Sequence, residues 1–206
     1  MKHISKHNEP KDFTEWKAQN PTATYDDLGK TAPSIKEILK DELLEEQGYL
    51  CCYCERSIDT EHAHIEHFRP KAKDKFPTLQ LEYGNLHCSC NKFPTKTTPH
   101  ICGVKKANDF STDLISPLEE DCETHFKYHL DGTIHEAQNN DHRSSYTISL
   151  LGLNDSFLNA QRTAALQPFL DANLTVQDLE KMKKNYLTPK KDGKFNPFYT
   201  MIKDLF

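Results

Sequence analysis

The amino-acid sequence predicts an α+β protein, because helical and strand patterns occupy separate segments on either side of a cysteine-rich centre. Apolar residues recur at helical spacing after Ser34 and again in the last third of the chain. Short strand candidates lie at 63–68 and 85–89. Six of the seven cysteines fall between Cys51 and Cys102, a segment with little apolar material of its own. A bound metal is the expected source of cohesion there.

The N-terminal part combines a polar segment with one clear helix. Residues 1–30 have two prolines and little periodicity, which indicates an arm that wraps the domain or a partner. The run Ser34-Ile35-Lys36-Glu37 has the form of a capping box, and the helical spacing continues to Gly48. The sequence therefore predicts an amphipathic helix that delivers the chain to Cys51.

The second half of the chain predicts a β-hairpin followed by helices. The segments 126–130 and 133–135 flank Asp131-Gly132, which favours a hairpin with a primed turn. Helix-start residues are recognisable from their side chains and spacing. Asn154 or Asp155 is expected to cap a helix that ends at Leu166. Thr175 and Asp178 predict the start of a second helix that runs to about Tyr186, and Pro197 predicts the start of a terminal helix.

The charge is acidic overall but unevenly distributed. The net charge is -5, which by itself argues against nucleic-acid binding because phosphate contacts need Lys and Arg. Residues 62–106 nevertheless have eight basic and three acidic side chains, a net +5, so the remainder has -10. This favours a locally basic site on an acidic body, although a solvated lysine loop would give the same count. The basic residues are Arg69, Lys71, Lys73, Lys75, Lys92, Lys96, Lys105 and Lys106.

Compartment and cysteine content together favour a metal over cross-links. No apolar run approaches the roughly 20 residues that span a bilayer, and the first residues lack the apolar core of a signal peptide. We therefore expect a cytoplasmic protein with no membrane contact. Disulfides are rare in the cytoplasm, and the odd number of seven cysteines agrees with their absence.

The cysteine spacing predicts a structural zinc site. Cys51 and Cys54 form a Cys-x-x-Cys pair, the spacing at which a tight turn directs two thiolates at one tetrahedral ion. Cys90 and Cys102 complete the predicted site, with Cys88 as the alternative to Cys90. Buried or redox-active cysteines without a metal are the competing interpretation. Cys52 and Cys122 are expected to be ordinary small buried residues.

Candidate catalytic residues lie between the two cysteine groups. On a strand, His64 and Glu66 share one face and His67 takes the other, unless the strand ends there, as Pro70 suggests. Hydrolysis of a phosphodiester needs a base to activate water and a divalent cation to stabilise the developing charge. A histidine beside a carboxylate offers the base and one cation ligand.

The order of these motifs resembles an HNH endonuclease of the ββα-metal type. Cys-Tyr-Cys-Glu-Arg-Ser-Ile, His-Ile-Glu-His-Phe-Arg-Pro-Lys, Ser-Cys-Asn and Cys-Gly-Val-Lys-Lys are similar to the HNH subunit of Septu-type anti-phage systems (PtuB-like), also found with some retrons. The resemblance continues to 115–120 and 150–154 and covers roughly residues 35 to 165. It implies a ββα-metal core held by the four-cysteine zinc site and surrounded by helices and a β-hairpin. The implied units are an arm at 1–30, the core with its leading helix at 31–110, and an extension at 111–206 that packs on the core or a partner.

The resemblance also implies individual roles. His67 is the general base, Glu66 binds a catalytic Mg²⁺ or Mn²⁺, and Asn85 braces the loop between the two strands. Asn91 is the candidate second ligand of that ion, while Val104 stands where such sequences often have His. His64 is a third ligand or orients the base. From the local positive charge, Arg69, Lys71, Lys73, Lys105 and Lys106 are the candidate nucleic-acid contacts, with a solvated loop as the alternative. A free histidine has a pKa of about 6.5, so activity is expected to rise with pH through that region.

Two classes of function follow. The first is a nuclease that cuts DNA and leaves a 5'-phosphate, with RNA, including tRNA, as the alternative substrate. The second is a non-catalytic zinc module that docks a partner, which Val104 favours. The resemblance implies an ATPase subunit (PtuA-like) as partner, within a retron complex in some systems. The chain has no G-x-x-x-x-G-K-[ST] motif, so nucleotide hydrolysis is expected from that other subunit.

Overall fold

The computed structural model describes residues 1–91, 95 and 99–206. Within these residues the chain forms eight α-helices and four strands, the strands paired in two antiparallel two-stranded sheets. The α+β prediction is therefore confirmed. No helix of the described part of the chain has both the length and the apolar character that crossing a membrane requires. Two of the basic residues counted above, Lys92 and Lys96, lie outside the described residues.

The N-terminal segment contains two helices that the sequence interpretation missed. Helix α1 covers Lys11–Gln19 and helix α2 covers Tyr25–Thr31. Helix α2 begins at a complete capping box, in which the Thr24 hydroxyl and the Asp27 carboxylate each accept the other residue's backbone N–H. Both helices are short, so packing rather than propensity has to stabilise them. Their buried side chains are Phe13, Trp16, Tyr25 and Leu28.

Helix α3 covers Pro33–Glu46 and confirms the predicted helix, but the predicted capping box is wrong. The residue before the helix is Ala32, which makes no side-chain cap, and Ser34 already lies inside the first turn. Proline is well suited to the first helical position because its φ is fixed near the helical value. Pro33 therefore starts the helix earlier than Ser34 would. The buried face is formed by Leu39, Leu43 and Leu44.

The central sheet consists of the two strands predicted from the sequence. Strand β1 covers His64–His67 and strand β2 covers Leu86–Ser89, in a register that pairs His64 with Ser89 and His67 with Leu86. The loop between them contains two short 3₁₀ turns, Pro77–Leu79 and Tyr83–Asn85. The short helix α4, Cys102–Lys106, comes next in the chain.

The outer edge of β2 is covered by side chains and by one backbone group. The Cys88 N–H donates to Gln47 Oε1 at 2.6 Å, and its carbonyl accepts from Gln47 Nε2 at 2.9 Å and from the Cys52 N–H at 3.1 Å. The Leu86 carbonyl accepts from Lys6 Nζ at 2.6 Å. Gln47 is buried at the end of α3, so it ties that helix directly to the sheet.

The predicted β-hairpin is present, but its turn is not of the primed type. Strand β3, Phe126–Tyr128, pairs with strand β4, Ile134–Glu136. The Gly132 N–H donates to the His129 carbonyl, and positive φ occurs at Gly132 and not at Asp131. A primed turn of the Asp-Gly type requires positive φ at both residues, so this loop is the longer kind with one left-handed glycine.

Four helices complete the chain: α5 His142–Leu151, α6 Ser156–Leu166, α7 Val176–Leu187 and α8 Tyr199–Leu205. The predicted caps of α6 and α7 are confirmed, with Asp155 accepting from the Phe157 N–H and Thr175 forming a capping box with Asp178. Pro197 does not start α8. Phe198 follows it with left-handed φ and donates its N–H to the Glu55 carbonyl at 2.9 Å, which keeps it outside the helix.

Contacts join the three predicted units. The Met1 ammonium lies 2.8 Å from Glu55 Oε1 and donates to the Tyr128 hydroxyl, and Thr200 also bonds to Glu55. Helix α5 packs on α4, where Lys105 Nζ donates to the Ser149 carbonyl at 2.8 Å. The extension therefore contacts the central segment. The unit boundaries after residues 30 and 110 stay predictions.

Candidate active site and metal centre

The structure groups the four cysteines that the spacing selected. The Sγ atoms of Cys51, Cys54, Cys90 and Cys102 all lie within 4.8 Å of one another, and all four residues are buried. Cys88 lies outside this group, and its thiol donates to the Lys40 carbonyl at 3.7 Å. All seven cysteines are free. The chain thus contains a buried four-cysteine group that could hold a metal.

Left-handed backbone positions flank these cysteines. Glu55, directly after Cys54, has φ 60° and donates its N–H to the Cys51 carbonyl. Asn91, directly after Cys90, has φ 66°, and Cys102 itself has φ 55°. Non-glycine residues seldom adopt this region, because the Cβ crowds the backbone. The turns that direct the thiols to a common point are therefore conformations that the surrounding structure has to maintain.

The geometry and chemistry of the cysteine group fit zinc. Sulfur ligands at about 2.3 Å in a tetrahedron lie about 3.8 Å apart, and Cys54 Sγ lies 3.9 Å from Cys90 Sγ. Burial by itself raises the pKa of Cys51, but hydrogen bonds from neighbouring thiols, that of Cys102 foremost, bring it well below the usual value. Burial raises the pKa of Cys52, which lies outside the group. Burial and the thiols of the group also raise the pKa values of Cys90 and Cys102, so the lowered pKa belongs to Cys51, which the other thiols surround.

Strand β1 brings His64 and Glu66 to the same face, as the alternation predicts. His64 Nε2 lies 3.4 Å from Glu66 Oε2. The other carboxylate oxygen of Glu66 lies 2.8 Å from Lys106 Nζ and accepts from the Tyr53 hydroxyl at 3.3 Å. Burial acts to raise the pKa of Glu66, but the His64 hydrogen bond and the Lys106 charge hold it below the usual value. Glu66 is therefore a buried, ionised carboxylate.

The first turn of α4 approaches this pair closely at Gly103. A Cβ at this position would collide with the Glu66 carboxylate and come within 2.8 Å of His64 Nε2. Glycine is thus required by the close approach of α4 to β1. Gly103 directly follows the last cysteine of the group, where the resemblance places a metal ligand in many HNH proteins. This chain has no side-chain ligand there.

The structure does not bring Asn91 to Glu66. Its Oδ1 accepts from Arg56 Nη1 at 3.5 Å, and its Nδ2 donates to the Pro99 carbonyl at 3.1 Å. Both ends of the amide are therefore engaged beside the cysteine group. Among the sequence-predicted ligands that the structure describes, His64 is the one that lies beside Glu66.

His67 ends β1 on the opposite face and is largely enclosed. Its Nε2 donates to the Gln80 carbonyl at 3.0 Å, which leaves the Nδ1 lone pair as the acceptor. The ring stands edge-on to Tyr25 with centroids 4.5 Å apart. Burial lowers the pKa of His67 to about 4, against the raising effects of the Gln80 bond and of Glu66. The imidazole is therefore neutral at physiological pH.

Asn85 has the bracing geometry that the resemblance implies. Its Oδ1 accepts from the Arg69 N–H at 2.8 Å, and its Nδ2 donates to the carbonyls of Arg69 and Leu79 at 3.0 Å. The Asn85 carbonyl also accepts from the Phe68 N–H. One amide therefore fixes the start and the end of the loop that follows His67.

The predicted nucleic-acid contacts occupy different environments. Arg69 and Lys73 are exposed, Lys71 pairs with Asp26 at 2.8 Å, and Lys105 is held by the Ser149 carbonyl. Lys106 is fully buried and donates to the His67 carbonyl at 3.0 Å besides pairing with Glu66. The prediction of a surface contact is wrong for Lys106, because its ammonium lies inside the protein. The helical spacing of Lys106 from Cys102, which places both on one face, is the signal that could have indicated this.

Sequence reasoning also assigned His87 to no particular environment. This residue of β2 is fully buried, and neither ring nitrogen has a hydrogen-bond partner among the described residues. Its ring stands edge-on to Phe68 at 6.5 Å. Burial lowers the pKa of His87 well below the usual value, with Lys6 and Lys106 adding to the effect. It therefore behaves as a neutral core residue beside the candidate site.

Comparisons with known proteins find curated relatives of this sequence. No family model matches the chain. The chain is 29% identical over 171 residues to the Retron Vc95 putative HNH endonuclease of Vibrio cholerae serotype O1 biovar El Tor, covering 80% of this chain and 82% of the relative. It is 36% identical over 97 residues to the Retron Ec83 putative HNH endonuclease of Escherichia coli, covering 44% of this chain and 37% of the relative. The resemblance to retron-associated HNH endonucleases is therefore confirmed.

Proposed function

We propose that this protein is a metal-dependent HNH endonuclease that hydrolyses phosphodiester bonds, with DNA as the leading substrate and RNA, including tRNA, as the alternative. The observation that carries the proposal is the position of the Glu66-His67 pair. The pair lies at the end of β1, and Asn85 fixes the loop that follows it. In the sequence the pair lies between Cys51 and Cys54 on one side and Cys90 and Cys102 on the other. The order β1, β2, α4 along the chain supports the proposal of a ββα-metal core. The names of the two similar retron proteins support the same activity.

His67 acts as the general base in this proposal. The Gln80 bond fixes its tautomer, so the Nδ1 lone pair can take a proton from the attacking water. Because the pKa of His67 is about 4, the base is already neutral at pH 6. The rate should then not rise through pH 6.5 on account of this histidine, contrary to the expectation from the free residue.

Two kinds of metal are proposed. A structural Zn²⁺ is held by Cys51, Cys54, Cys90 and Cys102, in a closed thiolate set that leaves no ligand position for water. A separate Mg²⁺ or Mn²⁺ is held by Glu66 and His64, whose Oε2 and Nε2 atoms lie 3.4 Å apart. His64 thus replaces Asn91, which the sequence analysis named as the second ligand. When bound, this second ion would stabilise the charge that develops on the phosphate and the leaving oxygen.

A non-catalytic zinc module is the second candidate, and a specific observation favours it. Lys106 already balances the charge of Glu66 at 2.8 Å, and the residues after Cys102 supply no side-chain ligand beside Glu66. In such a protein Glu66 and Lys106 would form a buried ion pair with a structural role alone. The first candidate cleaves nucleic acid and needs His67 to do so, whereas the second candidate has no cleavage activity.

The biological setting is proposed from the resemblance. We infer that the chain is the effector subunit of an anti-phage defence system of the Septu type, gated by a PtuA-like ATPase and in retrons part of a larger complex. The names of both relatives support the retron part of this setting. Copurification of the chain with an ATPase encoded beside it, and cleavage that depends on ATP, would test the partnership.

The decisive experiment compares His67→Ala with His62→Ala on labelled DNA and RNA, with the ATPase and Mg²⁺ or Mn²⁺ present. His62 is a matched control because it is an exposed histidine that pairs only locally with Asp59. His67→Ala should lose about 10² to 10⁴-fold in rate, the usual worth of a general base, and keep its fold and zinc. His62→Ala should cleave like wild type. Wild-type rates from His67→Ala would move the role to His64, and no cleavage by wild type under any condition would favour the non-catalytic module.

A further inference from the structure

A pocket of about 310 Å³ opens beside β1, on the side where α2 and α3 lie. Its walls include Tyr25 of α2, Lys36 and Lys40 of α3, and His64 and Ile65 of β1. None of the α2 and α3 residues belongs to the motifs that carry the resemblance. Helices α2 and α3 thus supply one wall of the cavity. Strand β1, which contains the proposed catalytic residues, supplies the other wall.

Lysine ammonium groups converge on this pocket. Lys36 Nζ lies 4.5 Å and Lys71 Nζ 5.5 Å from the centroid of the same Tyr25 ring. Lys40 is a lining residue whose ammonium donates to the Thr60 carbonyl. The Tyr25 ring attracts each of these cations. An anion bound in the pocket would in addition gain the attraction of the lysines that line it.

The acidic residues nearby do not cancel this charge. Glu37 also lines the pocket, and Asp26 pairs with Lys71 at 2.8 Å. The hydrogen bond and charge of Lys71 hold the pKa of Asp26 below its usual value, with Lys30 and Lys36 contributing. Among the lining residues two lysines, Lys36 and Lys40, stand against one carboxylate, Glu37, which leaves a net positive charge.

The main chain of β1 adds a donor of its own. Ile65 pairs with Cys88, whose N–H and carbonyl both bond away from β1. In an antiparallel ladder the two residues of such a pair direct their backbone groups to opposite outer edges. The Ile65 N–H therefore points away from β2, and it has no hydrogen-bond partner among the described residues.

The pocket adjoins both proposed catalytic groups. The Tyr25 ring stands against His67 with centroids 4.5 Å apart, and His64 lies 3.4 Å from Glu66. We propose that the pocket binds a backbone phosphate of the nucleic-acid substrate, through Lys36, Lys40 and the Ile65 N–H, next to the phosphodiester that is cleaved. This proposal rests on the proposed function and assigns to α3 a substrate contact outside the HNH motifs. A polymer is favoured over a free nucleotide because Lys73, exposed two residues beyond Lys71, continues the positive charge along the chain.

The test is the salt dependence of binding by the full chain, measured by fluorescence anisotropy without added divalent ion. The probes are a labelled DNA oligonucleotide and an RNA of the same sequence. The variants are Lys36→Gln/Lys40→Gln, the charge-preserving Lys36→Arg/Lys40→Arg, and the control Lys184→Gln, an exposed helical lysine of α7. Each lost phosphate contact lowers the slope of log affinity against log salt by about 1.

The double glutamine variant should lose about 1 from the slope, because both lysines contact the same phosphate, and the arginine variant and Lys184→Gln should keep it. Equal slopes for the glutamine variant and Lys184→Gln, or no binding of wild type to either probe, would overturn the proposal. So would competition by ATP or inorganic phosphate as strong as that by unlabelled oligonucleotide, since this would indicate a free-phosphate site. A slope shift in a protein that does not cleave would support the pocket and contradict the proposed activity. Unchanged slopes in a protein that cleaves would remove the pocket alone.

Discussion

The four-cysteine group and the Glu66 neighbourhood are joined by the same short sheet and by α4, yet they compensate buried negative charge differently. The cysteine sulfurs hydrogen-bond among themselves and to nearby backbone, with no cationic side chain in the group. Glu66 has the Lys106 ammonium at 2.8 Å. The first region could therefore hold an added cation, whereas the second already contains a cationic side chain.

This difference separates two roles that a metal can take in one small protein. A closed set of four thiolates gives a tightly held ion that contributes to folding itself. A carboxylate and one imidazole offer few ligands, so an ion there is bound weakly and its loss leaves the fold intact.

Replacing Cys54 with serine should unfold the segment around the cysteine group. Structural zinc contributes on the order of 10 kcal/mol in small zinc domains, and loss of one of four ligands removes most of that. Zinc content and thermal unfolding of the purified protein measure the effect. Cys88→Ala is the matched control, because Cys88 is a buried cysteine outside the group. A Cys54→Ser protein with stoichiometric zinc and the wild-type melting temperature would contradict the role of Cys54 as a ligand of a structural zinc.

Replacing Lys106 with methionine should destabilise the protein without loss of zinc. Removing one partner of a buried ion pair leaves an uncompensated charge, which costs about 3 to 5 kcal/mol. Lys105→Met, at an exposed neighbouring position, should cost far less. Urea unfolding measures both, and added Mn²⁺ should restore more stability to Lys106→Met than to wild type. If the two methionine variants unfold alike, the Lys106 ammonium does not balance Glu66 as we describe.

Acid should lower the stability of the folded protein, because it protonates His67, the neutral histidine next to Glu66. The pKa of His67 is about 4 in the folded protein and about 6.5 when unfolded, so between these values the unfolded chain binds the extra proton. Stability is then lost as pH falls from about 6.5 to 4, by roughly 3 kcal/mol over the whole window. Urea unfolding of wild type and His67→Gln across this range isolates the effect, because zinc loss from protonated cysteines is common to both. Parallel pH profiles would contradict it.

Local patterns in the sequence were sufficient where the structure depends on near neighbours. The strands at His64–His67 and Leu86–Ser89, the Asp155 and Thr175 caps and the choice of four cysteines all follow from alternation, side-chain chemistry or spacing. What could not be predicted depends on partners distant in the chain. Helices α1 and α2 are stabilised by packing, Lys106 is buried by its pairing with Glu66, and Asn91 is diverted by Arg56 and Pro99.

The amide of Gln47 has a consequence for how the protein behaves towards copies of itself. An uncovered strand edge is a template on which another molecule can add a strand, and proteins avoid this by blocking the edge. Gln47 satisfies both backbone groups of Cys88, as a neighbouring strand would, and Lys6 occupies the Leu86 carbonyl. One side chain thus completes the ladder and closes β2 to strand addition. A two-stranded sheet this small can consequently remain a sheet of two strands even at high concentrations of the protein.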